Sequence, residues 1–233
     1  MESRILTITC FLPCRKGSER VPKKNIRPIA GRQFGLLEIK LRQLLACRQI
    51  DQVLLSTNDP DIISYAQTVG DQRLVIRERD DALASSDTST DELIEYAGEQ
   101  IPDGDILWTH VTSPFLNAEA YDQMIGEYRR RREEGYDSLM SVTEIRGFLW
   151  DKAGPVNYDR AIEKWPRTQT LEPLYEVNSA VFLAPAEVYR TNADRIGERP
   201  FKYVLDKIQG FDIDWEDDFL IAEAMLSAGT GLT

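Results

Sequence analysis

The chain has 233 residues, 42% of them hydrophobic, and a formal net charge of −11 from 28 Lys/Arg and 39 Asp/Glu. That length suits one α/β domain with its own core, and the composition excludes wholesale disorder. The acidity argues against nucleic acid or an anionic membrane as a general partner, and no apolar run is long enough for a membrane span.

The elements follow in chain order. Residues 5–12 are an apolar, β-branched run that reads as a buried strand. Residues 34–47 place apolar side chains at helical spacing, 52–56 form a short strand, and 61–69 a helix with Pro60 at its start. A strand over 74–77, a helix over 91–100, a strand over 105–110, a helix over 118–133 and a strand over 138–143 come next. The arginines 129–132 complement the dipole at the end of their helix and read as a solvated face. This alternation predicts a mostly parallel sheet flanked by helices. From Glu144 the period breaks, and the stretch to about 176 reads as an excursion from the sheet. A strand over 177–184, a short helix over 186–192, an extended stretch over 203–213 and a closing helix over 215–227 complete the chain.

The first strand opens into a loop of unusual charge. Between Arg15 and Arg32 there are seven Lys/Arg and one acid, Glu19, inside an otherwise acidic chain. A cationic, glycine-containing loop at the C-terminal end of a first strand is suited to a polyanion such as a triphosphate. The loop lacks the GxxxxGK[ST] pattern. Farther on, Asp212 and Asp214 are two residues apart, which in extended backbone turns both carboxylates to one side. Such a pair suits Mg²⁺, which shares its coordination with phosphates and water. The plainer reading is a pair of acids at a strand end before a helix, with Asp217 and Asp218 complementing the first helical turn. Cys10, Cys14 and Cys47 have no metal spacing and read as reduced thiols. With no signal-peptide cleavage site evident, the expected location is cytoplasmic.

Arg15, Ser18, Pro22, Lys24 and Asn25 form an R-x-x-S-x-x-x-P-x-K-N pattern that resembles the N-terminal signature of the acylneuraminate (CMP-sialic acid) cytidylyltransferases. Further segments resemble the same family in the same order. Arg79, Leu83, Asp87, Thr88, Ser89 and Thr90 resemble its loop over cytosine and ribose, with Asp80 where the family has Pro. Thr112-Ser113-Pro114 resembles its TSP motif, with His110 where the family has a Gln that holds the sugar acid, and Leu116-Asn117 where it has an Arg. Arg167, in a WPRTQ segment, resembles the family's PRQ arginine, and Asn178 its return-strand asparagine. Asp212-Ile213-Asp214, followed by Ala222-Glu223, resembles its metal-binding D-x-D and closing helix.

The resemblance covers nearly the whole chain. It implies a single Rossmann-like nucleotidyltransferase domain that moves CMP from CTP to a sugar acid of nonulosonate type with release of pyrophosphate, in surface-glycan synthesis. It implies Arg15 and Lys24 on the triphosphate, and Ser18, Asn25, Arg79, Ser89 and Thr90 around the nucleotide. His110, Arg167 and Asn178 would face the acceptor, and Asp212 and Asp214 would hold Mg²⁺. It implies a homodimer in which the excursion, rich in Phe148, Leu149, Trp150 and Trp165, covers the neighbour's acceptor pocket. The changed positions at His110, at Leu116-Asn117 and near Trp150, where the family has a Lys, predict an acceptor side less cationic and more aromatic than that of a sialic-acid synthetase. The residues also leave open another acceptor or base, and a non-catalytic nucleotide-binding relative, against which the intact Arg15, Lys24, Asp212 and Asp214 speak.

Overall fold

The computed structural model describes residues 7–85 and 88–230, so Asp87 of the predicted nucleotide loop lies outside the described residues. Seven strands form one sheet: β1 (Ile8–Pro13), β2 (Gln52–Thr57), β3 (Leu74–Glu78), β4 (Asp105–Thr109), β5 (Ser138–Ile145), β6 (Leu174–Pro185) and β7 (Pro200–Leu205). Their order across the sheet is β3-β2-β1-β4-β6-β5-β7. All are parallel to β1 except β6, which runs antiparallel to both β4 and β5. The expected mostly parallel sheet is therefore present.

Six helices cover it: α1 (Gly35–Ala46), α2 (Pro60–Val69), α3 (Thr90–Gln100), α4 (Ala118–Glu133), α5 (Ala186–Thr191) and α6 (Glu216–Ser227). Alternation along β1 feeds two cores. Ile8, Cys10 and Leu12 join the larger one with side chains of α1, α4 and α6, while Phe11 joins Ile94, Trp108, Phe182 and Tyr189 on the α3–α5 side. The central strands are apolar on both faces because helices cover both. On α4 the expected solvated arginines hold: Arg130 and Arg131 pair with Glu127 and Glu134.

β1 lies between β2 and β4, so successive crossovers leave it in opposite directions. The crevice at the C-terminal ends of β1 and β4 is the topological switch point, where ligands of such sheets bind. The long connection after β1 folds back on α1, and Gly35 permits it: a Cβ there would fall 2.1 Å from the carbonyl oxygen of Arg27. β6 brings a second wall. Its register against β5 slips between Met140 and Val142, and Ser179 in the resulting irregularity has φ of +57°.

One expectation needs correction. Residues 203–213 are not a continuous strand. β7 ends at Leu205, a turn follows, and residues 211–214 join no strand of the sheet. The buried Ile213 N–H donates instead to the carbonyl of Thr112 at 3.0 Å. The excursion lies between β5 and β6 and holds one short helical turn, Thr168–Thr170, and an isolated bridge between Trp150 and Pro155.

Candidate active site

A cavity of about 560 Å³ opens at the switch point. The loop after β1 lines it with Arg15, Gly17, Ser18, Arg20, Lys24 and Asn25, the end of β4 with Trp108, His110 and Thr112, and the stretch after β7 with Asp212 and Asp214. Two more cavities adjoin it. One, of about 220 Å³, holds Arg79, Leu83, Ser89 and Thr90 and shares Arg15 and His110. The other, of about 770 Å³, holds Asn178, Arg146, Lys207 and Trp215 and shares Ser179, Asp212 and Asp214.

The register of the cationic loop is set by its turn. Lys24 N–H donates to Val21 O at 3.1 Å, and Lys23 takes a left-handed φ of +52°. Lys23 therefore stands exposed while Lys24 is buried. Lys24 Nζ donates to Ile213 O at 2.6 Å and lies 3.8 Å from Asp214. Burial lowers its pKa, opposed by the charges of Asp214 and Asp212. Asn25 braces the loop, its side-chain amide donating to the Arg15 carbonyl at 3.0 Å.

The two aspartates turn the same way although no strand imposes it. Ile213 between them is fully buried, so alternation sends both carboxylates into the cavities. Arg20 pairs with Asp214 at 2.8 Å. The Asp212 carboxylate meets the Thr112 hydroxyl, and burial raises its pKa. Its Oδ1 is buried without a hydrogen-bond partner. An orphaned buried carboxylate oxygen beside a second carboxylate is a donor set that fits a hard divalent cation. Asp218 complements the start of α6 as expected, accepting from the N–H groups of Asp214 and Trp215 at 3.0 and 2.7 Å.

Around the smaller cavity, Ser89 caps α3 in a reciprocal capping box with Glu92, leaving Thr90 at the cavity wall. Arg79 is 3% exposed and its Nε has no partner. Its pKa is lowered by burial. His110 Nε2 accepts from Trp108 Nε1 at 2.9 Å, which places the imidazole proton on Nδ1. Burial, with Arg195, Lys40 and Lys24 nearby, pushes its pKa down to about 3. His110 is therefore a neutral group at the floor of the site, not one that charges near neutral pH.

Asn178 lines the largest cavity but is committed. Its Oδ1 accepts from Ser141 at 2.7 Å and its Nδ2 donates to Thr143 at 3.1 Å, so it holds the shape of β6. Arg167 stands apart. It is exposed on the excursion and lines none of the three cavities. Cys14, buried beneath the loop, has its thiol pushed up to about 12 by burial and is no nucleophile.

The sequence reading passes over three contributors. Arg195 lines the central cavity and Lys207 the cavity of about 770 Å³. Lys40 on α1 is fully buried, and its Nζ donates to Ser113 O at 2.7 Å and to Tyr121 Oη at 2.6 Å. It thereby anchors the turn that carries Thr112. A lysine within an apolar helical stripe was the available signal. Arg195 gave none, because its place beside β4 depends on how the α5–β7 connection folds back.

The comparisons agree with this geometry. Residues 9–209 match the sequence profile of the cytidylyltransferase family. The chain is similar to the N-acylneuraminate cytidylyltransferase of Streptococcus agalactiae serotype III, with 24% identity over 217 residues, 91% of this chain and 51% of the relative. It thus spans about half the length of that relative. It is 30% identical over 224 residues to the pseudaminic acid cytidylyltransferase of Campylobacter jejuni serotype O:23/36, covering 93% of this chain and 94% of the relative. In fold it is similar to a CMP:2-keto-3-deoxy-manno-octonic acid synthetase solved with CTP, at a TM-score of 0.66 and 14% identity over 96% of this chain and 99% of that one. A cationic loop at the switch point and a match across both halves of the sheet lead to the same conclusion: the chain belongs to the cytidylyltransferase family.

Proposed function

We propose that this chain transfers CMP from CTP to a sugar acid of nonulosonate type and releases pyrophosphate, in the synthesis of surface glycans. The observation that carries the reading is the convergence of Arg15, Lys24, Asp212 and Asp214 on one cavity at the switch point. The relatives support the reaction class through what they act on.

The acceptor hydroxyl oxygen attacks the α-phosphorus of CTP. A new O–P bond forms there, the bond to the β-phosphate oxygen breaks, and pyrophosphate leaves with its electron pair. Arg15 and Lys24 bind the triphosphate and its leaving portion, and Ser18 adds a neutral donor. Asn25 keeps the Arg15 backbone in place. Arg79, Ser89 and Thr90 bound the space for base and ribose. Asp212 and Asp214 would hold Mg²⁺, and one of their carboxylates would take the hydroxyl proton. When bound, Mg²⁺ supplies charge neutralisation and polarisation of the α-phosphate. His110 and Asn178 shape the acceptor side.

The excursion supports a homodimer. Trp150, Ile162 and Trp165 are 52%, 86% and 63% exposed, an apolar surface only partly covered by Arg160, Phe148 and Tyr158 of the same excursion. Covered by a second copy, it would bring Arg167 to the neighbour's acceptor cavity, which accounts for its distance from its own. No described helix is long and apolar enough to cross a membrane. Three buried free thiols and a CTP substrate support a cytoplasmic reaction.

The test is pyrophosphate release with each of the four ribonucleoside triphosphates against N-acetylneuraminate, pseudaminate and 2-keto-3-deoxy-manno-octonate. CTP-dependent release with a nonulosonate is expected. Turnover with another nucleotide only, or with no sugar acid, would overturn the reading.

A further inference from the structure

Lys40 sits in the middle of α1, yet it is fully buried. Its neighbours along the helix, Leu36, Leu37, Leu41 and Leu44, are apolar side chains of the larger core. Among the described residues no carboxylate pairs with it. Its company is the Tyr121 ring, whose centre lies 5.0 Å away, and two oxygen acceptors. Burial pushes its pKa down to about 7. A buried amine without an anion costs stability, and an apolar side chain of similar size costs less. What the lysine supplies is position.

Its two bonds lead to two walls of the site. One goes to Ser113 O at 2.7 Å. Gln43, the next turn along α1, donates to the following carbonyl, that of Pro114, at 2.6 Å. Two successive carbonyls of the turn after β4 are thus fixed to α1. The residue before them is Thr112, whose hydroxyl meets Asp212 and whose carbonyl accepts from the Ile213 N–H.

The other bond goes to Tyr121 Oη at 2.6 Å, and its direction is set from the far end. Ala180 O can only accept, so the Thr109 hydroxyl donates to it, at 2.7 Å. Thr109 Oγ1 then accepts from Tyr121 Oη at 2.9 Å, and Tyr121 accepts from Lys40. The run ends beside Ser179, the left-handed residue of β6 that lines both the central cavity and the one of about 770 Å³. Thr109, Ser113 and Tyr121 are fully buried, so bulk water replaces none of these partners. Lys40 itself lines none of the three cavities and acts through others.

We propose that Lys40 is a positioning residue for the transfer: from beneath the site it holds Thr112, and through Thr112 Asp212, in register with Ser179 on β6. This rests on the function proposed above.

The experiment compares wild type, Lys40→Met, Lys40→Gln, Thr112→Val and the double variant Lys40→Met/Thr112→Val in two ways. The first is pyrophosphate release with CTP, saturating Mg²⁺ and whichever of N-acetylneuraminate, pseudaminate and 2-keto-3-deoxy-manno-octonate wild type uses best. The second is hydrogen–deuterium exchange of the nucleotide-free protein, read by mass spectrometry in peptides over residues 211–214 and 52–57. Lys40→Met, similar in length but without a donor, should lower kcat by about tenfold or more, the scale on which outer partners of a metal ligand act. The KM for CTP should move less than about threefold, because Arg15 and Lys24 keep their places. Exchange should rise over 211–214, where the Ile213 N–H rests on Thr112, and stay as in wild type over 52–57 in β2. Thr112→Val should lower kcat too, and the double variant should lose less than the product of the two singles, since both act through one contact. Lys40→Gln keeps a donor and should fall between wild type and Lys40→Met.

An unchanged kcat, a loss confined to the KM for CTP, losses that multiply in the double variant, or equal rises of exchange in both peptides would overturn the assignment. So would failure of both Lys40 variants to fold, which would make the lysine a folding residue only. A wild type without turnover on any sugar acid would overturn the proposed function, and the exchange measurement would still decide whether Lys40 holds Thr112 and the stretch at Ile213.

Discussion

Lys24 and Ile213 are joined by a single short hydrogen bond, from Nζ to the main-chain oxygen at 2.6 Å. The bond ties the loop after β1 to the stretch that carries Asp212 and Asp214, across 189 residues of sequence. It means that the cation expected on the triphosphate and the carboxylates expected on the metal hold one another in register. Lys24→Met should then raise the KM for CTP and lower kcat, together by roughly tenfold to a hundredfold, the scale of a hydrogen bond to a charged group. Lys23→Ala, at an exposed left-handed position, should change either constant less than about twofold. Steady-state kinetics of the two variants check this, and equal effects would show that the loop acts by bulk charge.

Asp212 and Asp214 should each be needed for turnover and not for folding. Asp212 has an orphaned buried oxygen, and replacement by Asn keeps its volume while removing its charge. Asp212→Asn and Asp214→Asn should each lower kcat by about a hundredfold or more, with thermal midpoints close to wild type. Chelation with EDTA should abolish activity and added Mg²⁺ restore it. Full activity in either variant, or in EDTA, would remove the pair from the mechanism.

His110 should make the protein sensitive to mild acid. Its pKa falls from an ordinary 6.5 to about 3 in the folded chain. Between those values the unfolded chain binds a proton that the folded chain does not, so stability is lost as pH falls from about 7. The slope from this one group reaches about 1.4 kcal/mol per pH unit. Urea unfolding at pH 7, 6, 5 and 4 should therefore show a steeper loss in wild type than in His110→Gln. Parallel curves would mean that His110 titrates normally.

The excursion should govern assembly. Trp165→Asp places a charge on an exposed ring surface and should convert a dimer to a monomer in light scattering. Arg167→Ala should leave the dimer intact, raise the KM of the acceptor several-fold and leave that of CTP unchanged. A wild-type monomer, or an Arg167 effect confined to CTP, would contradict the proposed exchange between subunits.

Most of the fold was legible because it is written in local periods. The alternation of 52–56, 61–69 and 74–77 is strand and helix chemistry carried within each segment, and the described elements match it to within a few residues. The loop with Arg15, Ser18, Lys24 and Asn25 was legible too, since a run of cations after an apolar strand needs no distant partner to be recognised. The two-residue spacing also anticipated that Asp212 and Asp214 face the same cavities, with the apolar Ile213 buried between them. The tertiary structure alone decided what holds that stretch: Thr112 and Lys24, not a neighbouring strand. It alone neutralised His110, because desolvation depends on what packs over a side chain. It brought Arg195 to the cavity, over Trp108 and Phe182, and left Arg167 outside it, which no spacing could foretell, since both sit in irregular connections that carry no local period.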